Sequence, residues 1–549
     1  SYSVTGVQTC ALPIFHDRFF RVGQRDYHTL VLPPHTENLN APTLKLLETF
    51  LHQGGSVLAV DSIPNRVNGS TSDSLASLTA YPGWRTLTES HTVQTLAQPK
   101  PDAQLALSRS PDDRGILFHH RREFTDGQLL FLANTSIEEP TAGTIAARAG
   151  AVEQWDLFTG EIRAYPWMPT PAGLKASFEL PPSGSLLLFL PNQNRKQSNP
   201  TQLRPGVALP SSAPSQIQRL GPNVLTLDYV TISAGTETLT NAYFYAANQF
   251  AFRKNGMNRN PWDSAVQFRD ELISKTFAAD SGFTVTYQFT IAGPVPPDLE
   301  AVVERPDLYT ISCNGVNIVP SPGRWWLDRA FGRLNLDRVA RSGSNELTLK
   351  AAPFRIEHEI EPVYLLGSFT LRPTDSGFDI APDQPLALSP TNPDLTQHNQ
   401  PDQNIELNQG QPPGWNVQGH PFYAEGVAYR QSYNIRKKRD AYRVALGAWH
   451  GSVAKVLVNQ KFVGHILAPP WDYDVTPHIR RGSNTIEIVV IGTLKNTLGP
   501  HHGNPGIGSA WPSMFHQGPN PGPPPGAQYH TLGYGLFEPF VLIEADTAE

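Results

Sequence analysis

The sequence predicts a mainly β, multidomain protein in which jelly-roll, galactose-binding-like β-sandwiches are preceded by a partial α/β domain. Three observations carry this. Short apolar runs alternate at period two, most clearly where Ile486, Ile488 and Val490 face one way with Glu487 and Val489 between them. Connections are rich in Pro (51) and Gly (43), and no long helical pattern interrupts the 549 residues. One order of motifs also occurs twice. Cys313-Asn314-Gly315 corresponds to Val458-Asn459-Gln460, Trp326-Leu327-Asp328 to Trp471-Asp472-Tyr473, and Gly343-Ser344-Asn345 to Gly482-Ser483-Asn484. Each copy places a turn between two strands, then a Trp-bearing segment, then a Gly-Ser-Asn turn that launches a central strand.

Taken in order, residues 1–14 are set aside. Val4 to Ile14 reads in sequence as the translation of a common sequencing adapter, so protein proper is expected from Phe15 and Cys10 is not counted. Residues 15–99 read as a partial flavodoxin-like α/β domain. Tyr27 to Pro33 and Ser56 to Val60 read as apolar strands. Between them, Asn40 caps a helix whose apolar face is Leu44, Leu47, Phe50 and Leu51, and Gly54-Gly55 ends it. There is no GxGxxG, and these glycines close a helix instead of opening one, so no nucleotide site is expected.

Residues 101–191 read as a small antiparallel sandwich, with a hairpin turning at Asp126-Gly127. His119 and His120 fall on opposite faces of their strand and cannot share one metal. Residues 192–221 are polar and Pro-rich, a linker. Residues 222–373 form the first sandwich module, 374–411 a linker or long loop, and 412–548 the C-terminal sandwich. The latter includes a long loop from Leu494 past His516, a length typical of binding or docking loops.

Composition excludes several classes. Formal net charge is −6 with no long basic run, so no nucleic-acid partner is expected. No apolar run reaches membrane-span length. Two cysteines exclude a disulfide framework, and Cys313 reads as a small buried hydrophobe.

The candidate site residues are Trp449, His450, Trp471, His501, His502 and Trp511. Aromatic faces stack on sugar rings and the polar groups bond hydroxyls, so an oligo- or polysaccharide is the expected partner. His501, His502 and His516 lack the spacing of zinc motifs. Glu357, Glu359 and Glu361 alternate, which on a regular strand puts three carboxylates on one face. Paired carboxylates serve glycoside hydrolysis. The same pattern also belongs to a solvated strand face, an interdomain contact or a calcium contact.

The chain resembles the C-terminal part of bacterial glycoside hydrolases of the α-L-rhamnosidase type, family 106 and relatives with family-2-like sugar-binding modules. The resemblance rests on Tyr27 to Val60, Trp155-Asp156 with Thr159-Gly160-Glu161, and Pro181-Pro182-Ser183-Gly184-Ser185. It continues in Glu359-Ile360-Glu361, Tyr364 to Phe369, Leu494 to His502 and Tyr534 to Phe537. It implies a periplasmic or secreted bacterial protein whose acid and base carboxylates sit on an upstream (β/α)₈ barrel. Nothing here reads as eight βα units, so no catalytic residue is carried over. The expectation is a non-catalytic part of a glycosidase; the alternative is a carbohydrate-binding or structural surface protein.

Overall fold

The computed structural model describes residues 14–16, 19–22, 25–97, 105–193, 205–263, 269–388, 414–503 and 510–547, so the adapter-like stretch before Ile14, with Cys10, lies outside them. Among the described residues no helix is long and apolar enough to cross a membrane. The chain forms two compact units.

The first holds the described residues up to Ser108, with Gly143–Gly150 and Met168–Ala176. Its centre is a parallel sheet of Thr29–Leu32, Ser56–Val60 and Trp84–Leu87. The helix Ala41–His52 begins as its sequence requires. The Asn40 side chain accepts from Thr43 N–H at 2.8 Å, and proline stands in the first turn, where its missing N–H costs nothing. Gly54, at φ 82°, takes the left-handed turn that ends it. Leu47, Phe50 and Leu51 are buried with Val57 and Ala59 of the adjacent strand. The third strand, Trp84–Leu87, was not expected. Only Trp84 in it is buried, so this edge strand has no apolar run to announce it.

The second unit carries the remaining β structure. One five-stranded sheet takes the order Leu117–Glu123, Gly127–Asn134, Ser185–Pro191, Glu153–Trp155, Ile162–Ala164, with the expected hairpin between the first two. Two sandwiches follow, and they share a topology. In the middle sandwich, Phe283–Ile291, Gly343–Ala351, Thr310–Cys313 and Val316–Ile318 are successive neighbours in one sheet. In the C-terminal sandwich the corresponding order is Val427–Ile435, Gly482–Ile491, Val453–Val458, Lys461–Ile466. The opposing sheets place Val363–Gly367, Glu300–Glu304 and Asp328–Asn335 side by side, matched by Val541–Ala545, Ala441–Ala445 and Asp472–Asp474. Ile486, Ile488 and Val490 are fully buried against Tyr442, Val444 and Leu542 of the facing sheet. Glu487 instead pairs across the strand with Arg430.

The duplication extends to individual hydrogen bonds. Asn345 and Asn484 are both completely buried. Asn345 Nδ2 donates to the carbonyls of Arg341 (2.7 Å) and Gly343 (2.9 Å), and its Oδ1 accepts from Arg341 N–H and from Asn314 Nδ2, both at 2.8 Å. Asn484 Nδ2 donates to Arg480 O (2.6 Å) and Gly482 O (3.1 Å), and its Oδ1 accepts from Arg480 N–H (3.0 Å) and Asn459 Nδ2 (3.1 Å). Asn314 and Asn459 in turn occupy left-handed hairpin turns, at φ 50° and 52°. The Gly-Ser-Asn motif is therefore a lock that ties the launch of the central strand to the neighbouring hairpin.

Two stretches expected as linkers are partly strand. Within 192–221, Val207–Leu209 pairs with Val541–Ala545, and Gln216–Arg219 pairs with Val427–Ile435, so both join the C-terminal sandwich. Within 374–411, Phe378–Pro382 pairs with Phe369–Pro373 and, in parallel, with Phe283–Ile291. Most of these pairings are with distant sequence, and strands of three to five residues carry little local signal for them.

Candidate functional site

The structure gathers only part of the expected site. Trp471 lies just before the strand Asp472–Asp474, and Leu446 N–H donates to its carbonyl at 2.8 Å, which extends the pairing of Ala445 with Asp472. Trp449 sits on a two-residue strand paired with Gly535–Leu536. This brings the two indoles edge-to-face, centroids 5.2 Å apart. Trp449 is half-buried on the C-terminal core, while Trp471 keeps 38% of its surface exposed. Arg443 and Asp472 form a two-point ion pair beside them. Exposed Glu538 reaches back to Ala448 N–H at 3.4 Å. His450 points inward: its Nδ1 bonds the Gly533 carbonyl at 2.7 Å, and its ring packs on Tyr534.

His501 and His502 are not on this surface. Both are buried, at 4% and 5% exposure, in the seam between the two sandwiches. His501 Nε2 donates to Asn496 O at 2.8 Å. His502 Nε2 donates to Asp228 Oδ2 at 2.7 Å, and Tyr529 O–H donates to Asp228 Oδ1 at 3.0 Å. His516 stacks on Tyr245, centroids 4.0 Å apart. The long loop is a docking device, and its histidines are spent on holding it against the middle sandwich. Burial holds His501 at a pKa of about 3 and His530 at about 4, in each case reinforced by the nearby Lys495 charge. Lys495 itself is lowered to about 8 by burial, with its ammonium donating to Pro500 O and His530 O. Trp511 is 64% exposed and caps a short turn, Pro512–Phe515.

Glu357, Glu359 and Glu361 do not lie on a regular strand. The stretch from Ala352 to Pro362 is turn and irregular chain, because Pro353 and Pro362 cannot donate to a ladder. Glu357 is exposed, Glu359 accepts from Asn260 Nδ2 at 2.7 Å, and Glu361 faces Glu359 and Glu304. Burial is the main cause that raises Glu359 and Glu361 above ordinary carboxylate values, strongly so for Glu361. Among the described residues no group of three or more His, Cys, Asp or Glu is arranged to hold a metal ion.

Sequence reading missed a polar groove of about 680 Å³ in the second unit. Its walls include Arg219, Arg324, Arg333, Asp298, Glu300, Asp383 and His420, with Leu220 and Leu386 as apolar floor. Arg219 pairs with Asp383, and Arg324 and Arg333 share Glu300. These residues are scattered through the sequence from Arg219 to His420, so no local pattern could have named them.

No family model matches the chain, and no curated protein does. Among solved structures it is similar to a rhamnosidase from a Novosphingobium species, at 14% identity and TM-score 0.43, covering 97% of this chain and 35% of that one. It is similar to the α-L-rhamnosidase of Streptomyces avermitilis at 12% identity and TM-score 0.18, covering 70% and 36%. An exo-carrageenase from Bacteroides ovatus gives 11% identity and TM-score 0.22, covering 30% and 22%. The chain spans little more than a third of the length of these proteins at most.

Proposed function

We propose that this chain is a non-catalytic, saccharide-binding part of a glycoside hydrolase of the α-L-rhamnosidase type, with the acid and base carboxylates carried by a barrel outside these residues. The observation that carries the reading is the Trp449–Trp471 pair. An indole held edge-on by a second, half-buried indole presents a rigid apolar face at low entropic cost, which suits the C–H face of a sugar ring. Glu538 and the Arg443–Asp472 pair put hydroxyl partners in the same neighbourhood. A periplasmic or secreted setting fits this role.

The test is calorimetric titration of the chain with rhamnose- and galactose-containing oligosaccharides. Trp471→Ala is expected to weaken binding about tenfold, the loss of roughly 1.4 kcal/mol of stacking. Trp471 is the informative position because Trp449 also supports the core. Unchanged affinity in Trp449→Phe, Trp471→Ala and Trp511→Ala alike would remove the site.

The chain is also expected to leave aryl glycosides unhydrolysed. Glu359 is held by Asn260, and the space it shares with Glu361 and Glu304 is only about 10 Å³, which leaves no room for a glycosidic bond between them. Reproducible turnover that disappears in Glu359→Gln would overturn the non-catalytic reading.

A further inference from the structure

We propose that the groove beside Arg219 and Arg333 is a second saccharide subsite, selective for a neutral, hydroxyl-rich sugar. The proposal rests on the saccharide-binding reading but on a different surface. Its basis is the hydrogen-bond state of two buried groups. His420 is fully buried, and Arg219 Nη1 lies 3.3 Å from its Nδ1. A guanidinium only donates, so Nδ1 is the acceptor and the ring proton sits on Nε2. That Nε2–H is buried and has no hydrogen-bond partner among the described residues. Arg333 Nε–H is in the same condition, although Arg333 Nη2 is engaged by Glu300. Two stranded donors belonging to residues of one groove are unmet needs that a bound hydroxyl oxygen can fill, since an unmade buried bond costs about 1–3 kcal/mol.

The charges decide which acceptor. Three guanidinium groups (Arg219, Arg324, Arg333) face three carboxylates (Asp298, Glu300, Asp383), so the groove offers no net field to an anion. Asp298 accepts one bond on each oxygen from Ser368, its N–H and its hydroxyl, at 2.8 Å each. Asp383 is 41% exposed and keeps lone pairs free to accept. A sugar hydroxyl both accepts and donates, so one ring can serve the stranded donors and Asp383 through its several hydroxyls. An acid-bearing sugar would gain no net attraction there and would still have to give up the hydration of its carboxylate.

The experiment is calorimetric titration of the whole chain with methyl α-L-rhamnopyranoside and methyl β-D-galactopyranoside, with sodium galacturonate as the anionic control. Arg333→Lys keeps the charge opposite Glu300 but removes Nε–H, and His420→Gln alters the second donor. Melting curves establish that each variant is folded. At least one neutral glycoside is expected to bind Trp471→Ala at this subsite, and to lose at least fivefold affinity for it when Arg333→Lys is added. Galacturonate is expected to bind more weakly than the neutral sugars. Neutral-sugar binding that survives Arg333→Lys and His420→Gln but vanishes in Trp471→Ala overturns the groove and leaves the tryptophan site standing. Tighter binding of galacturonate overturns the neutral-sugar selectivity, and absence of binding by any of these sugars overturns both surfaces.

Discussion

Asn484→Asp is expected to destabilise the C-terminal sandwich by about 3–5 kcal/mol, and Asn345→Asp to do the same to the middle one. The substitution is nearly isosteric, so packing is preserved and the effect isolates the hydrogen bonds. In each copy the amide nitrogen donates to two backbone carbonyls, at 2.6 and 3.1 Å for Asn484 and 2.7 and 2.9 Å for Asn345. A carboxylate oxygen there faces two carbonyl oxygens with no proton between them, at a fully buried position. The acceptor side of each lock survives, since Oδ1 still meets a backbone N–H and the hairpin asparagine. Urea unfolding of each variant checks this. A loss below about 1 kcal/mol at either site would mean that the motif is a replaceable turn and the duplication only topological.

That lock also marks how far the sequence could be read. Ile486, Ile488 and Val490 announce a half-buried strand by alternation, and the recurrence of Gly-Ser-Asn after a Trp-bearing segment announces a repeated module. Both signals are local, and both are present in the fold. The strands Val207–Leu209 and Gln216–Arg219 were hidden because they are only three and four residues long and are completed by partners more than 200 residues away. The site divides on the same line. Trp449 and Trp471 meet because Leu446 N–H donates to the Trp471 carbonyl just before the chain reaches Trp449. His501 and His502, expected beside them, turn into the seam because Asp228 is there to accept a bond from His502 and because both rings are buried among Phe422, Tyr243 and Tyr529. Adjacent histidines in a proline-rich loop look alike whether they face solvent or a core. The groove at Arg219 and Arg333 was illegible altogether, since scattered arginines near scattered acids are what any solvated surface contains.

Acidification from pH 7 to pH 5 is expected to cost the second unit about 2–4 kcal/mol of stability, before carboxylate titration begins in earnest. His420 and His501 are held at pKa values of about 3 and His530 at about 4 by burial, aided by the Arg219 charge at His420 and the Lys495 charge at the other two. In the unfolded chain each returns to about 6.5, so between that value and the folded one the unfolded state binds more protons and stability falls as pH falls. At pH 5 each group lies 1.5 units below its unfolded value, which is about 2 kcal/mol at 1.36 kcal/mol per unit. Glu361 acts in the opposite sense. Burial raises it, so the folded state keeps its proton where the unfolded state has lost it, and acidification relieves that cost. Glu304, Glu359 and Glu425, also raised by burial, act with it, and His358, lowered by burial, acts with the other histidines; the carboxyls offset part of what the histidines lose, which leaves the net loss stated. Thermal melts from pH 7.5 to 5 read the effect as a midpoint that falls steadily below pH 6.5; a flat or rising midpoint would sink the account. His530→Met separates the histidine origin from general acid sensitivity. Both ring nitrogens of His530 are buried without partners among the described residues, so an apolar replacement sacrifices no bond of that ring. The variant is expected to be at least as stable at pH 7 and to shed about a third of the histidine-driven slope, whereas a slope identical to that of the parent would assign the acid response to other groups.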